Sequence, residues 1–587
     1  METLRSEGSL FGRLAAVFCM VAGFAAGALA QSDAPRYNVV VIMADDLDVA
    51  SVDKMLALGL MPHLQHDFVD EGVRFTNAFV TNSLCCPSRA TLLTGQYSHN
   101  SRVLTNSPPA GGLAAFRASS ALPVWLSAAG YRTSHVGKFL NGYGRELPAD
   151  YVPGEDKCAA PDGGPIAAPR YIPPGWHDWY GLLDTDLSTY RMYNPWVNDN
   201  CAIRFEARRP DDPSDLRRDG YQTDLLAWRA VNFLDEAAAA GTPFFLEIMP
   251  LAPHVEIVPG VTRFEPYQEI WKWDIRPAPR HAGSVAAWPP IAPAMNEDLG
   301  DKPAWMQPGT RRARPPLTAE DYLYLTRQYR HRLESLRAVD DLIGAVVATL
   351  RGNGQLANTV LVFTSDNGFL YGEHNMAEKV VAYEESIRAP LFVRMPDGRG
   401  PRTVDALVLN NDLAPTIAAL AGAAPGLEMD GTSFAPLLAA DVPDWRKRFL
   451  VEHWDSGALM DVPGYAAVRV KSAPPAGLPA DLLYLEYRNP DVDGLWNAPE
   501  FYDLATDPHQ CESLHASEDP VRVAQRQVLH GVLAALRACA GETCRQLEFC
   551  PGPFAFCPSA PPAATTAATI AGPVERLAAC ARAASAP

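Results

Sequence analysis

The sequence predicts an α/β fold: a large mixed, mostly parallel sheet flanked by helices, followed by a smaller antiparallel sheet. Until about residue 440, apolar runs rich in β-branched residues, typical of strands buried on both faces, alternate with helical segments. Beyond that point the strands are short and alternate in polarity, which favours an antiparallel sheet. We therefore expect a large domain over residues 31–440, an antiparallel subdomain over 441–515, and a helix with a cysteine-containing, Ala/Pro-rich tail over 516–587.

The first 30 residues have the composition of a secretory signal peptide. Arg13 precedes an apolar run over residues 14–26, and small residues up to Ala30 suit a cleavage site. The alternative is an uncleaved membrane anchor, but glycine and alanine make this run only weakly hydrophobic for a membrane span. We expect cleavage near Ala30, export to the periplasm or the medium, and no stable membrane insertion.

Strand and helix patterns follow one another along the mature chain. Buried-strand runs are predicted at 37–43, 73–80, 131–136, 243–249, 358–364 and 390–394. Helices are predicted at 61–71, 121–130, 223–240, 318–350 and 411–420, and near 521–539. Short strands at 446–452, 465–470 and 482–487 form the antiparallel subdomain.

Two irregular segments interrupt this alternation. Residues 145–215 are rich in proline, glycine and aromatics, and we expect a surface excursion held by a disulfide between Cys158 and Cys201. Residues 258–318 carry several tryptophans, which either face a substrate or serve packing. With eight cysteines outside the signal peptide and the motif at 85–86, an exported chain could form up to four disulfides.

The net charge of −18 over 587 residues argues against nucleic-acid binding. An anionic substrate would therefore need positive charge gathered locally, against the field of the whole protein.

Four of the predicted strands lead into polar residues. They are 37–43 before Asp45 and Asp46, 131–136 before Lys138, 243–249 before His254, and 358–364 before Asp366 and Asn367. Taken alone, Asp45-Asp46 could be a turn or a helix cap. If the strands are parallel neighbours, however, the carboxyl ends of all four meet at one edge of the sheet, where open α/β sheets bind ligands.

The acidic members of this group predict a site for a hard cation. Three carboxylates and an amide oxygen, from Asp45, Asp46, Asp366 and Asn367, suit Ca²⁺ ahead of Mg²⁺. Zinc is disfavoured, because these four residues offer neither thiolate nor imidazole. Lys138, His254, Lys379 and Arg89 would neutralise the charge of a bound oxyanion.

The stretch from Leu84 to Gly95 places Cys85 and Arg89 at the predicted start of a helix. A helix N-terminus favours anions, and an arginine side chain binds a tetrahedral oxyanion in bidentate fashion. These residues alone indicate a cysteine beside an anion site.

Cys85-Cys86-Pro87-Ser88-Arg89 followed by Leu93-Thr94-Gly95 resembles the signature of type I sulfatases, in the alkaline phosphatase superfamily. The resemblance covers about residues 37–515, including Phe501-Tyr502-Asp503-Leu504, which is similar to the closing motif of sulfatase C-terminal subdomains. In that family a formylglycine-generating enzyme oxidises the first cysteine of the motif. The resemblance therefore implies formylglycine at Cys85.

The resemblance also implies roles for the other residues. Asp45, Asp46, Asp366 and Asn367 match the family's metal ligands, with Cys85, as formylglycine, completing the shell. Arg89 matches the residue that orients the formylglycine, and Lys138, His254 and Lys379 match groups that contact the sulfate or its leaving oxygen. In the family mechanism, one hydroxyl of the hydrated aldehyde attacks sulfur, and the second expels sulfate.

One departure from the family pattern lies beside Lys138. Many members carry a histidine two positions after this lysine, whereas this chain reads Gly137-Lys138-Phe139-Leu140-Asn141, a variant that resembles the arylsulfatase and glucosamine-6-sulfatase branch. Asn141, His135 or His374 are the alternatives for the missing group.

The resemblance implies an exported sulfuric ester hydrolase. The substrate is a sulfated small molecule or glycan, with aryl sulfate, glucosamine 6-sulfate and sulfated polysaccharide all open. The alternatives are a phosphonate or phosphate ester hydrolase of the same superfamily, and a catalytically silent, calcium-dependent glycan-binding protein.

Overall fold

The computed structural model describes residues 36–550 of the 587-residue chain with several gaps. The residues inside this range that it does not describe are 156, 159–165, 209–216, 218, 258–273, 287–293, 296, 308–314, 397, 456–461, 472–480 and 489–495. The predicted signal peptide, most of the 516–587 tail beyond the first helices, and Trp271, Trp273 and Trp288 of the tryptophan-rich insert lie outside the described residues.

A ten-stranded mixed sheet forms the centre of the large domain. Its strands are β1 (Asn38–Ala44), β2 (Val73–Phe79), β3 (Arg132–Gly137), β4 (Asp178–Leu182), β5 (Trp196–Asp199), β6 (Ala202–Phe205), β7 (Phe244–Met249), β8 (Thr359–Ser365), β11 (Leu391–Arg394) and β12 (Arg402–Leu409), with the short hairpin β9 (Leu370–Tyr371) and β10 (Ala377–Glu378) separate. The strand order is β12-β2-β11-β8-β1-β7-β3-β4-β5-β6. The central pairs β8–β1, β1–β7 and β7–β3 are parallel, and β11 runs antiparallel to both of its neighbours. The predicted fold class is confirmed.

Helices cover both faces of this sheet. The α-helices of the described residues are α1 (Val49–Ala57), α2 (Pro62–Leu64), α3 (Cys85–Thr94), α4 (Ser98–Ser101), α5 (Leu122–Ala128), α6 (Gln222–Ala240), α7 (Ala319–Gly352), α8 (Glu384–Ile387), α9 (Leu413–Ala421), α10 (Ala435–Ala439) and, packed on the smaller sheet described below, α11 (Pro520–Leu536) and α12 (Glu542–Phe549). Val40 and Ile42 of β1 pack against α6 and α7, whereas Val39 and Val41 face α3, α5 and α9. Because alternate side chains of a strand point to opposite faces, an apolar residue at every position is what this burial requires.

A second, four-stranded antiparallel sheet follows, with β13 (Arg448–His453), β14 (Tyr465–Lys471), β15 (Asp481–Arg488) and β16 (Trp496–Asp503) in sequence order. One face packs on Phe79 and Leu409 of the main sheet, and the other packs on Leu529 and Leu533 of α11. The boundaries 31–440, 441–515 and 516–587 remain a prediction.

The segment 145–215 differs from the expected surface excursion. It contributes β4, β5 and β6, which extend the main sheet beyond β3. These strands are only four or five residues long, and turns interrupt them, so the sequence shows no long apolar run. The predicted disulfide Cys158–Cys201 is present, with 43 residues of separation.

The cysteines beyond this pair are used differently from the prediction. Cys539 pairs with Cys544, and Cys550 is also disulfide-bonded. Cys511 is a free thiol, so the eight cysteines cannot form four disulfides. Within the described part of the chain, no helix combines the length and the apolar character that a membrane span requires.

Candidate active site

The predicted convergence of strand ends is what the structure shows. Strands β8, β1, β7 and β3 are consecutive neighbours in the sheet and run parallel, so the residues that follow them meet at one edge. Gly137 closes β3 with φ of 123°, and an added Cβ would lie 2.3 Å from the Met249 carbonyl oxygen. Only glycine fits there. The backbone conformation of Gly137 directs the next residue, Lys138, toward the site.

Three carboxylates form the centre of the site. Asp45 and Asp366 are completely buried, and Asp46 is 2% exposed. The backbone of Asp46 is in the left-handed region, with φ of 62°. Its N–H donates to Asp366 Oδ1 at 3.0 Å. Asn367 Nδ2 donates to Asp46 Oδ1 at 2.8 Å. Such crowding of carboxylates is unfavourable unless cations compensate the charge.

Three basic side chains supply that compensation. Lys138 Nζ lies 2.5 Å from Asp45 Oδ2, Lys379 Nζ contacts Asp46 Oδ1, and Arg89 Nε lies 2.9 Å from Asp366 Oδ2. Although burial opposes its charge, the carboxylates hold the pKa of Lys379 well above its usual range. Burial favours the neutral form of Asp45, but Lys138 and His254 keep the pKa of this carboxyl well below its usual range.

Cys85 begins α3 and is 2% exposed. Its Sγ lies 2.9 Å from Lys379 Nζ and 3.8 Å from Asp45 Oδ1. Burial raises the pKa of the thiol to about 11, so the unmodified side chain stays protonated at neutral pH. Arg89, one helical turn later, donates from Nη1 to the Lys138 carbonyl at 2.8 Å.

The neighbouring Cys86 faces away from this site. Its side chain is completely buried in the apolar cluster behind the sheet, and its backbone N–H donates to Asn106 Oδ1 at 2.9 Å. The two adjacent cysteines therefore have different surroundings, and only Cys85 contacts the charged groups.

His254 lies on the loop after β7. Its Nδ1 is 2.6 Å from the Val255 carbonyl, which fixes the ring so that Nε2 faces Asp46 Oδ2 at 3.6 Å. Burial lowers the pKa of this histidine to about 4, although both neighbouring aspartates oppose the shift. The imidazole is therefore neutral in the protein alone.

The donor set fits a divalent cation. One ligand atom each from Asp45, Asp46, Cys85 and His254 lie within 4.8 Å of one another, and Asp366 and Asn367 adjoin this group through their contacts with Asp46. Buried oxygen donors from three carboxylates suit a hard cation. All nine predicted site residues are thus in one place.

The alternatives for the missing histidine are separated by the structure. His135 uses both ring nitrogens, on Glu247 Oε1 at 2.6 Å and the Gly137 carbonyl at 3.1 Å. His374 bonds Glu297 and stacks on Tyr383. Of the three, Asn141 is the one that lies beside the site, through a hydrogen bond to Tyr190.

Two further residues at the site were not predicted. Arg332, completely buried on α7, donates to the Asp46 carbonyl and, at 2.8 Å, to the Tyr371 hydroxyl. Tyr190 packs its ring against Lys138 and His254. Arg332 is one of many charged residues on a long helix, and Tyr190 lies in a segment without periodicity. The sequence pattern therefore does not distinguish either residue from its neighbours.

Comparison with known proteins identifies relatives of this chain. Residues 37–423 match the family model described as Sulfatase, and residues 372–538 match that of the N-sulphoglucosamine sulphohydrolase C-terminal region. The chain is 33% identical to an arylsulfatase of Volvox carteri, with 91% of this chain and 79% of the relative covered. It is 31% identical to an N-acetylglucosamine-6-sulfatase of Capra hircus, covering 87% and 85%.

Solved structures share the fold. The structure of BT4656 in complex with its substrate D-glucosamine-2-N,6-O-disulfate has a TM-score of 0.62 at 22% identity and covers 88% of this chain and 98% of its own. A phosphonate monoester hydrolase from Silicibacter pomeroyi has a TM-score of 0.60 at 20% identity, covering 86% and 95%.

Arg332 provides a test of how the site is held. Arg332→Met should lower the free energy of unfolding by about 1–3 kcal/mol, because the buried Asp46 carbonyl loses its side-chain donor. Urea unfolding measures the loss. Arg337→Met is the control, because Arg337 lies on the same helix and has no hydrogen bond to a site residue among the described residues. An equal loss in both variants would contradict this account.

Proposed function

This chain belongs to the sulfatase family and hydrolyses sulfate esters, and we propose that its substrate is a glycan carrying a 6-sulfated glucosamine residue. The buried cluster at the sheet edge, where Cys85 lies among three carboxylates and three basic groups, supports the sulfate ester chemistry on which this proposal rests. The N-acetylglucosamine-6-sulfatase of Capra hircus, 31% identical, supports this sugar. The Volvox carteri relative, 33% identical, is named an arylsulfatase, so an aryl sulfate is the competing substrate in the test below.

We propose that Ca²⁺ is held by the side chains of Asp45, Asp46, Asp366 and Asn367 together with the modified Cys85. Their oxygen donors come from fully or almost fully buried side chains. A bound calcium ion supplies positive charge that polarises the sulfate group. Magnesium demands a more regular octahedral shell and usually keeps several waters, so this crowded cage favours calcium.

The nucleophile is proposed to be formylglycine made from Cys85 by a formylglycine-generating enzyme. The hydrated aldehyde supplies a hydroxyl nucleophile that a thiol does not. Lys379 lies 2.9 Å from Cys85 Sγ and holds the group at this position. Arg89 is fixed between Asp366 and the Lys138 carbonyl, so its guanidinium keeps the start of α3 in register with the metal ligands.

Lys138 and His254 are proposed to act on the sulfate and its leaving oxygen. Lys138 is charged, because Asp45 outweighs burial and holds its pKa above the usual range. His254 binds the Val255 carbonyl through Nδ1, so Nε2 is the atom available to pass a proton to the departing alcohol. A neutral imidazole must first gain that proton, which an incoming anion favours.

Export is proposed from the signal-like residues 1–30. The described disulfides Cys158–Cys201 and Cys539–Cys544 suit an oxidising compartment.

The substrate proposal is tested with matched sulfated sugars. Purified protein matured with the generating enzyme should release sulfate from N-acetylglucosamine 6-sulfate at least about 10-fold faster than from galactose 6-sulfate or 4-nitrophenyl sulfate, measured as kcat/KM by ion chromatography. A 10-fold ratio corresponds to about 1.4 kcal/mol of discrimination, the size of one or two hydrogen bonds to the sugar. A preference for the aryl ester, or faster hydrolysis of a phosphonate monoester measured as release of its alcohol, would refute this substrate.

The two adjacent cysteines give a matched pair of variants. Cys85→Ala should abolish turnover, because alanine cannot be converted into the nucleophile. Cys86→Ala should retain most of it, because Cys86 packs in the apolar cluster. Rates are compared at equal amounts of folded protein. Residual turnover in Cys85→Ala comparable to that of Cys86→Ala would exclude Cys85 as the precursor.

Metal removal tests the cation. Chelation of the matured enzyme should abolish turnover and lower the thermal midpoint, because three buried carboxylates lose the cation that they bind. Ca²⁺ should restore both quantities more completely than Mg²⁺ or Zn²⁺ at equal free concentration. Full recovery with Zn²⁺ alone would overturn the calcium assignment.

A further inference from the structure

Tyr190 occupies a defined place between two of the basic site residues. Its ring centroid lies 4.9 Å from Lys138 Nζ and 5.2 Å from the His254 ring centroid. The residue is 4% exposed. It therefore borders the group of side chains that would surround a bound sulfate, although it comes from the irregular segment before β5.

Within the described residues, the hydroxyl of Tyr190 accepts one hydrogen bond and donates none. Asn141 Nδ2 donates to the phenolic oxygen at 2.6 Å, and among the described residues no acceptor receives the tyrosine's own proton. Asn141 Oδ1 is buried and also lacks a hydrogen-bond partner there. Burial raises the pKa of Tyr190 above its usual range, so the phenol keeps this proton. The pair therefore leaves one buried atom of the Asn141 amide without a partner beside Tyr190, and a bound ligand would supply that partner.

The backbone around Tyr190 is fastened on two sides. Asp184 Oδ2 accepts from the Gly142 backbone at 2.9 Å and from Arg145 at 2.7 Å, which ties the segment to the loop after Lys138. Ile257 N donates to the Tyr190 carbonyl at 3.2 Å, which ties it to the loop of His254. Tyr190 is thus fixed relative to both neighbours.

The two residues that follow Lys138, Phe139 and Leu140, are apolar and donate no side-chain hydrogen bond. Leu140, two positions after Lys138, is buried in the apolar cluster behind the sheet. Lys138 Nζ contacts Asp45 at 2.5 Å, and the Tyr190 ring, whose hydroxyl is paired with Asn141, lies over it at 4.9 Å.

We propose that Tyr190 is a sulfate-binding residue, whose hydroxyl donates a hydrogen bond to an oxygen of the ester, and that Asn141 is the positioning residue that orients this hydroxyl. The ring also covers the Lys138 ammonium group and the His254 imidazole and keeps water from them. This inference deepens the proposed function, since it assigns a contact to the sulfate rather than to the sugar.

Tyr190→Phe in the matured, metal-loaded enzyme is the direct test. It keeps the ring and removes the hydroxyl, so kcat/KM for the sulfate ester should fall about 10-fold or more, and inorganic sulfate should bind about 10-fold more weakly in titration calorimetry, as expected for the loss of one hydrogen bond to an anion. Formylglycine content and thermal midpoint should not change. Tyr221→Phe, which removes a buried phenol outside the site, should behave as the unaltered protein.

A double-mutant cycle separates positioning from general packing. Asn141→Ala should weaken sulfate binding in the unaltered background, and this effect should vanish in the Tyr190→Phe background, because the hydroxyl that Asn141 orients is gone. Additive effects of the two changes would refute the positioning role.

Sulfate affinity in Tyr190→Phe equal to that of Tyr221→Phe would overturn the proposal as a whole. Because inorganic sulfate contains no sugar, this result is independent of the substrate assay. An enzyme that ignores N-acetylglucosamine 6-sulfate but still loses sulfate affinity in Tyr190→Phe would refute the substrate and retain the inference.

Discussion

The balance of buried charge is the constraint on which the site depends. Asp45, Asp46 and Asp366 are withdrawn from water, which is strongly unfavourable for ionised carboxylates without close cations. Lys138 contacts Asp45, Lys379 contacts Asp46, and Arg89 contacts Asp366 and, at 3.6 Å, Asp45. The three negative and three positive groups cancel formally, so a dication and the monoanionic sulfate ester together change the net charge of the site by one unit. Removal of any one basic group would leave a buried carboxylate uncompensated.

The fold satisfies this constraint by using four neighbouring parallel strands. Each strand delivers one or two charged or polar residues to the same edge. The register of the paired, buried strands fixes the spacing between these residues. Helix α3 adds Cys85 and Arg89 from one face of the sheet. From the other face, α7 adds Arg332, which fixes the Asp46 carbonyl. The site therefore belongs to the sheet as a whole and not to a single loop.

Much of this arrangement can be predicted from sequence, for physical reasons. Strands buried on both faces show as long apolar runs, and the residues directly after them, such as Asp45 and Asp366, fall at a position that the fold class already defines. The position of Tyr190 could not be predicted in this way. It depends on a hydrogen bond from Gly142 to Asp184 and on one from Ile257 to Tyr190, and both join residues that are far apart in the sequence. The same is true of β4, β5 and β6, whose short strands pair only because β3 offers an edge. The roles of Cys85 and the other site residues rest on the motif and its surroundings.

The central claim is that the residue at position 85 acts as formylglycine in this charge-balanced site. Mass spectrometry of the peptide that spans Cys85, taken from protein of measured specific activity, tests it most directly. The account predicts that the fraction carrying an aldehyde in place of the thiol rises in proportion to turnover, while Cys86 remains a thiol. Fully active protein in which Cys85 is an unmodified thiol would contradict it.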